Sequence, residues 1–203
     1  IIAARWDNEG IYIFSNYSTY CYWYSSPITD SGSYRGLSAG DLDNNGNPEL
    51  VAAKFSGGLR IWEKANFSWE SQSSPTTTGT YYDTALGDFN HDGRLDIAAA
   101  SYDGAGVIVY LNGARGWTTQ VVSATGEFHT LAVGDLNRDG NLDIAAAKNG
   151  GVGQNGIYLW LSNASGTVWT PMTSPSTSGQ YFDLDLGDFN HDGKLDILAA
   201  RDG

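Results

Sequence analysis

Gly87-Asp88-Phe89-Asn90-His91-Asp92-Gly93 decides the reading of this chain, because it recurs. The same stretch stands as Gly40-Asp41-Leu42-Asp43-Asn44-Asn45-Gly46, as Gly134-Asp135-Leu136-Asn137-Arg138-Asp139-Gly140 and as Gly187-Asp188-Phe189-Asn190-His191-Asp192-Gly193. The leading Asp residues stand at 41, 88, 135 and 188, giving steps of 47, 47 and 53 residues. Self-similarity with a period near 50 marks stacked supersecondary units, each too small to bury its own apolar face.

Working outward, each loop runs into a short apolar stretch: Leu50-Val51-Ala52-Ala53, Ile97-Ala98-Ala99-Ala100, Ile144-Ala145-Ala146-Ala147 and Ile197-Leu198-Ala199-Ala200. After a Gly-rich turn comes an alternating stretch ending in an aromatic, namely Ile11-Tyr12-Ile13-Phe14, Leu59-Arg60-Ile61-Trp62, Val107-Ile108-Val109-Tyr110 and Ile157-Tyr158-Leu159-Trp160. The alternation predicts strands. Further strands are expected around Trp23, Trp69, Trp117 and Trp169, and before each Asp loop, which makes four per unit. Alanine runs favour helix on propensity, but these are about four residues long and lie between glycine-containing turns, which excludes helix. Four short strands at this period predict an all-β chain, a β-propeller of four-stranded blades. The expected blades are 34–80, 81–126 and 127–179, with partial blades at 1–33 and 180–203. Ile1-Ile2-Ala3-Ala4-Arg5 repeats Ile197-Leu198-Ala199-Ala200-Arg201, so the chain reads as a segment of a longer propeller, closed by further blades or by a second copy.

Composition agrees with a folded chain: 41% of the 203 residues are hydrophobic and 13% aromatic, too much for disorder. The net charge of −12 argues against nucleic acid and anionic membranes, which select Lys and Arg patches. Cys21 is the one cysteine, so no internal disulfide can form and a secreted chain would need another staple. No apolar run approaches the roughly 20 residues of a membrane span.

The pattern Asp-x-Asn-x-Asp-Gly-x-x-Asp puts oxygen side chains at loop positions 1, 3, 5 and 9 and a glycine at position 6, where the chain must turn sharply. Hard oxygen donors in a compact loop suit Ca²⁺, which takes six to eight of them. Position 7 offers its backbone carbonyl, so Asn47, Arg94, Asn141 and Lys194 can differ there. An EF-hand also starts this way but needs Glu at position 12; here that position is Ala52, Ala99, Ala146 and Ala199, which excludes it.

These residues resemble the FG-GAP or VCBS repeat, the calcium-binding blade of integrin α-subunit propellers and of many secreted microbial proteins and fungal lectins. The resemblance covers essentially the whole chain. It implies one Ca²⁺ per loop, four in all, held by Asp41, Asp43, Asn45 and Glu49; by Asp88, Asn90, Asp92 and Asp96; by Asp135, Asn137, Asp139 and Asp143; and by Asp188, Asn190, Asp192 and Asp196. The first loop departs from the others, with Asn45 at position 5 and Glu49 at position 9. The Gly-Ala-Pro that integrins carry after the loop is Ala-Ala here, closer to the microbial variety. Seven is the expected blade number of the parent, from the resemblance alone. The loops hold 12 of the 23 acidic residues, and like charges so close repel without a counter-ion. Four Ca²⁺ ions would bring the charge from −12 to −4. Solvated Asx turns are the plain alternative.

The expected role of the ions is structural, with binding energy serving as folding energy. The expected protein is a non-enzymatic, extracellular or cell-surface module that binds a glycan or an extracellular protein. The alternatives are a calcium-dependent polysaccharide lyase, which would need a non-repeating basic cluster that the sequence lacks, and a purely architectural subunit. Gly36-Leu37-Ser38-Ala39-Gly40 matches a nucleophile elbow literally, but the repeat equivalents of Ser38 are Ala85, Ala132 and Asp185 and no helix follows. His91, His129 and His191 read as surface or packing residues, and Trp62, Trp69, Trp117, Trp160 and Trp169 as blade core. Residues after the apolar run vary between units, so Arg5, Trp6, Lys54, Phe55, Tyr102 and Lys148 are candidates for a ligand rim. Asn16, Asn66 and Asn163 open N-glycosylation sequons, each just past an aromatic strand end.

Overall fold

The computed structural model describes residues 2–4, 10–16, 23–28, 31–66, 68–149 and 155–202. Among them all regular structure is β, in five antiparallel sheets whose strands follow one another in chain order. The first sheet holds β1 (Ile2–Ala4), β2 (Ile11–Asn16) and β3 (Trp23–Ile28). Three four-stranded sheets follow. One holds β4 (Tyr34–Gly40), β5 (Glu49–Lys54), β6 (Leu59–Ala65) and β7 (Ser68–Gln72). The next holds β8 (Tyr81–Gly87), β9 (Asp96–Ser101), β10 (Val107–Gly113) and β11 (Gly116–Ser123). The third holds β12 (Phe128–Gly134), β13 (Asp143–Lys148), β14 (Gly156–Ser162) and β15 (Trp169–Pro171). The last sheet pairs β16 (Tyr181–Gly187) with β17 (Asp196–Arg201). No helix among the described residues is long and apolar enough to cross a membrane.

The alanine-rich stretches are the second strands, and their packing explains their composition. Leu50 and Ala52 face the first sheet, whereas Val51 and Ala53 pack with Tyr81, Ile97 and Ala99 of the neighbouring sheet. Ala98 and Ala100 then pack with Phe128, Ile144 and Ala146, and Ala145 and Ala147 with Leu184. Side chains alternate between the faces of a strand, so a strand sandwiched between two sheets must be apolar at every position. That demand overrides the helical propensity of alanine.

The first strands of successive sheets run close together. A Cβ at Gly36 on β4 would lie 2.5 Å from the Cα of Asp83 on β8, so only glycine fits. Ser38 bonds the Thr84 hydroxyl at 2.9 Å across the same junction, which places the literal nucleophile-elbow serine in an inter-sheet contact. Between the next pair, Asp83 Oδ2 accepts from Thr130 Oγ1 and Leu131 N, each at 3.0 Å. Burial raises its carboxyl to about 6, with these bonds and that from Thr84 N pulling the other way.

Candidate metal centre

Each Asp-rich loop joins the first strand of a sheet to its second, and all four fold by the same local bonds. The position-1 carboxylate spans the turn: Asp88 accepts from Asp92 N at 3.1 Å and Gly93 N at 2.9 Å, and Asp41, Asp135 and Asp188 repeat this within 2.8–3.0 Å. Position 6 is left-handed, with φ of 90°, 83°, 87° and 79° at Gly46, Gly93, Gly140 and Gly193, which is why the motif carries glycine there. Position 5 accepts from the position-7 N–H at 2.8–2.9 Å in all four loops. The position-7 residues take part through their backbone N–H, and Asn47 Nδ2 and Lys194 Nζ also reach position-5 oxygens at 3.1 and 3.5 Å, whereas Arg94 lines a cavity.

Positions 3 and 5 form an amide–carboxylate pair. In the second and third loops the amide is at position 3, with Asn90 Nδ2 donating to Asp92 Oδ2 at 3.3 Å and Asn137 Nδ2 to Asp139 Oδ2 at 2.9 Å. In the first loop the roles are exchanged, and Asn45 Nδ2 donates to Asp43 Oδ2 at 3.1 Å. The departure seen in the sequence is thus a reciprocal swap within one bonded pair. It also leaves Asn45 a second N–H, which Glu63 Oε1 on β6 accepts at 2.9 Å; Gln72 Nε2 holds the other Glu63 oxygen at 3.1 Å. Glu63 follows Trp62, the partner of Leu50, as Leu111 follows Tyr110, the partner of Ile97, and Leu161 follows Trp160, the partner of Ile144. That break in the repeat was the sequence signal for it.

Position 9 is the anchor, buried in the first three loops and half-buried at Asp196, which accepts from Phe189 N at 3.1 Å. Asp96 is fully buried, accepting from Phe89 N at 2.9 Å and from Asn112 N at 2.7 Å; burial raises its carboxyl to about 6 against those two bonds. Asp143 is held likewise by Leu136 N and Ser162 N, both at 2.9 Å, and burial raises it too. Glu49 differs. Its Oε2 accepts from Leu42 N at 2.7 Å, but Oε1 has no hydrogen-bond partner although the residue is 4% exposed. Burial pushes Glu49 up, with the Asp43, Glu63 and Asp41 charges adding to it.

Asp41, Asp43 and Glu49 each present a carboxylate oxygen within 4.8 Å of the others, the one such convergence of three acidic, imidazole or thiol groups among the described residues. An all-oxygen set with an orphaned buried oxygen fits a hard divalent cation, and Ca²⁺ in particular. The loop with the least regular sequence has the most convergent acids.

The loops also touch one another through position 4, where Asn44, His91, Arg138 and His191 all have left-handed φ of 57–64°. Asn44 Nδ2 donates to Gly93 O at 2.9 Å, His91 Nε2 lies 3.1 Å from Asn141 Oδ1, and Arg138 Nη2 donates to Asp192 O at 3.3 Å. His91 and Arg138 thus tie one loop to the next, a role that their variability in sequence concealed.

The proposed rim residues separate. Phe55 and Tyr102 join an aromatic file at the starts of the first strands: Tyr82 lies 6.1 Å from Phe55, 4.2 Å from Tyr102 and 4.7 Å from His129, and His129 lies 5.8 Å from Phe182. Arg35 stacks over Tyr82 at 5.0 Å. Lys54 and Lys148 instead lie over Tyr34 and Phe128, while Arg5 and Trp6 fall outside the described residues, as does the Asn16 side chain. Asn66 is exposed in a turn, and the Asn163 side chain caps its own turn, accepting from Thr167 N and Val168 N. Trp62 and Trp160 are buried core, and the half-buried Trp117 packs against the core around Ile61 and Ile97 while also lining a cavity.

The family model of the FG-GAP-like repeat matches at residues 41–99, 88–146 and 135–199, each match running from the start of one Asp loop through the next loop into its following strand. No curated protein matches the chain at a significant level. With four bonded Asp loops and a match over most of its length, the chain belongs to the FG-GAP-like repeat family.

Proposed function

We propose that the chain is part of a calcium-binding β-propeller, each sheet a blade, in a non-enzymatic extracellular protein whose loops take one Ca²⁺ each. The observation that carries this reading is the first loop, where three carboxylates converge around the unpartnered Glu49 Oε1. Asp88, Asp135 and Asp188 share the same turn, so the other loops follow from it by repetition. Calcium would relieve the repulsion among these carboxylates and hold each loop closed, serving in place of disulfides. The test is thermal unfolding with calcium and with excess chelator, beside a metal count. Binding at [Ca²⁺] of about 100 times Kd adds about 2.7 kcal/mol per site, so chelation lowers Tm by many degrees. A metal-free protein with unchanged Tm would overturn the reading.

A further inference from the structure

The first loop opens onto a cavity of about 200 Å³ between β4–β7 and β8–β11, lined among others by Asp43, Glu49, Glu63, Gln72, Arg94 and Trp117. Its volume lies below the about 300–1,000 Å³ of pockets that take drug-sized ligands, so it suits one small unit. Gln72 is exposed and Trp117 half-buried, which leaves the cavity reachable from solvent.

We infer that this cavity is a cation-dependent site for a single neutral, polyhydroxylated ring, a sugar residue, that completes the oxygen shell of the first-loop ion and rests against Trp117. The inference depends on the calcium reading of the loops.

Three observations lead to it. First, Asn45 turns its amide nitrogen toward both Asp43 and Glu63 while its oxygen accepts from Asn47 N. A nitrogen with two hydrogens cannot ligate, and Asp43 makes up the oxygen that Asn45 lacks, so the side-chain oxygens that converge here come from the three carboxylates of Asp41, Asp43 and Glu49. A cation that takes six to eight oxygens has room for oxygens from outside. Second, Glu49, which carries the orphaned Oε1, and Asp43 both belong to the carboxylate trio and to the cavity wall. Third, Glu63, present where Leu111 and Leu161 stand in the other units, adds an acceptor to that wall, and Gln72 and Arg94 add donors around the Trp117 indole. Four carboxylates against one divalent ion and one guanidinium leave the site slightly negative, which disfavours an anionic ligand. Vicinal hydroxyls supply oxygen to the ion and hydrogen bonds to Glu63 and Gln72, and the apolar face of a pyranose matches an aromatic wall.

The test uses methyl glycosides of the common neutral hexoses, followed by tryptophan fluorescence and saturation-transfer NMR on the full chain, with calcium and with chelator, beside a metal count. At least one glycoside binds in calcium and none in chelator. Asp43→Ala removes one ion and abolishes binding, whereas Asp192→Ala in the fourth loop removes one ion and leaves binding intact. Glu63→Leu and Trp117→Phe keep all the ions and weaken binding about tenfold. A parent chain without metal would sink the calcium reading itself. Full metal occupancy with no glycoside bound, with binding untouched by Asp43→Ala, or with acetate bound in preference to any glycoside, would overturn this inference alone.

Discussion

Residues 81–101 and 181–201 are nearly the same sequence a hundred positions apart, and they behave differently. Their loops differ only at Arg94 and Lys194, and the loop hydrogen bonds agree to about 0.1 Å. Yet Phe89 is fully buried against Trp169 on β15, at 5.7 Å between ring centroids, while Phe189 is 55% exposed. Asp83 is locked between β8 and β12, whereas Asp183 is exposed and accepts from Leu184 N. The loop's shape therefore comes from its own residues, while its burial comes from the sheet packed beside it. Stability in such an array resides largely in the interfaces between neighbouring units.

The largest test of this contrast is a pair of phenylalanine truncations. Phe89→Ala should cost about 3–5 kcal/mol, the range for emptying an aromatic site in a packed core, and Phe189→Ala less than about 1 kcal/mol, both read by denaturant unfolding. Equal costs would show that the loop, not the interface, holds the energy.

Next comes the pair Asp83 and Asp183. The folded value of Asp83, about 6, lies above the roughly 3.9 of an unfolded aspartate, so the native state binds the proton more tightly. Its contribution favours folding fully below about pH 3.9 and is lost as pH rises through about 6, on the order of 3 kcal/mol for a difference of about two pH units. Asp83→Asn should remove that part of the pH slope between pH 4 and 7 and itself cost about 1–3 kcal/mol, because an amide cannot accept at all three donors. Asp183→Asn, at an exposed side chain without those inter-sheet bonds, should change stability by about 0.5 kcal/mol or less. Unfolding curves at stepped pH give both answers.

The smallest expected effect is at loop position 4. His91→Ala loses the tie to Asn141 and should cost about 0.5–1 kcal/mol, where His191→Ala changes stability by about 0.5 kcal/mol or less. His91→Gly suits the φ of 57° better, so it separates backbone strain from the lost tie.

The repeat was legible because its chemistry is local: glycine at the sharp turn, acids at fixed spacing, and a strand too apolar for one-sided burial. The four-strand unit follows from those signals, and every loop folds as its motif demands. What could not be read depends on contacts between units. Nothing at Asp83 announces that Thr130 and Leu131 close on it, and Arg138 looked like loop variation until Asp192 came beside it. Lys54 and Lys148 were grouped with Phe55 and Tyr102 as one rim, but they stand one residue earlier in the repeat and pack along other rings. Asn45 and Glu49 looked like erosion of a motif because each was weighed alone, when Asp43 and Asn45 had exchanged roles together.

That exchange constrains descent. A loop of the Asn90–Asp92 type can become one of the Asp43–Asn45 type only by two substitutions, and either order passes through a mismatched intermediate. One intermediate sets two amides face to face and forfeits a carboxylate; the other sets two carboxylates together with no amide between them. Either intermediate forfeits the amide–carboxylate bond that both end states keep. The order of amide and acid can therefore differ between units while the bonded pair that shapes the turn is kept.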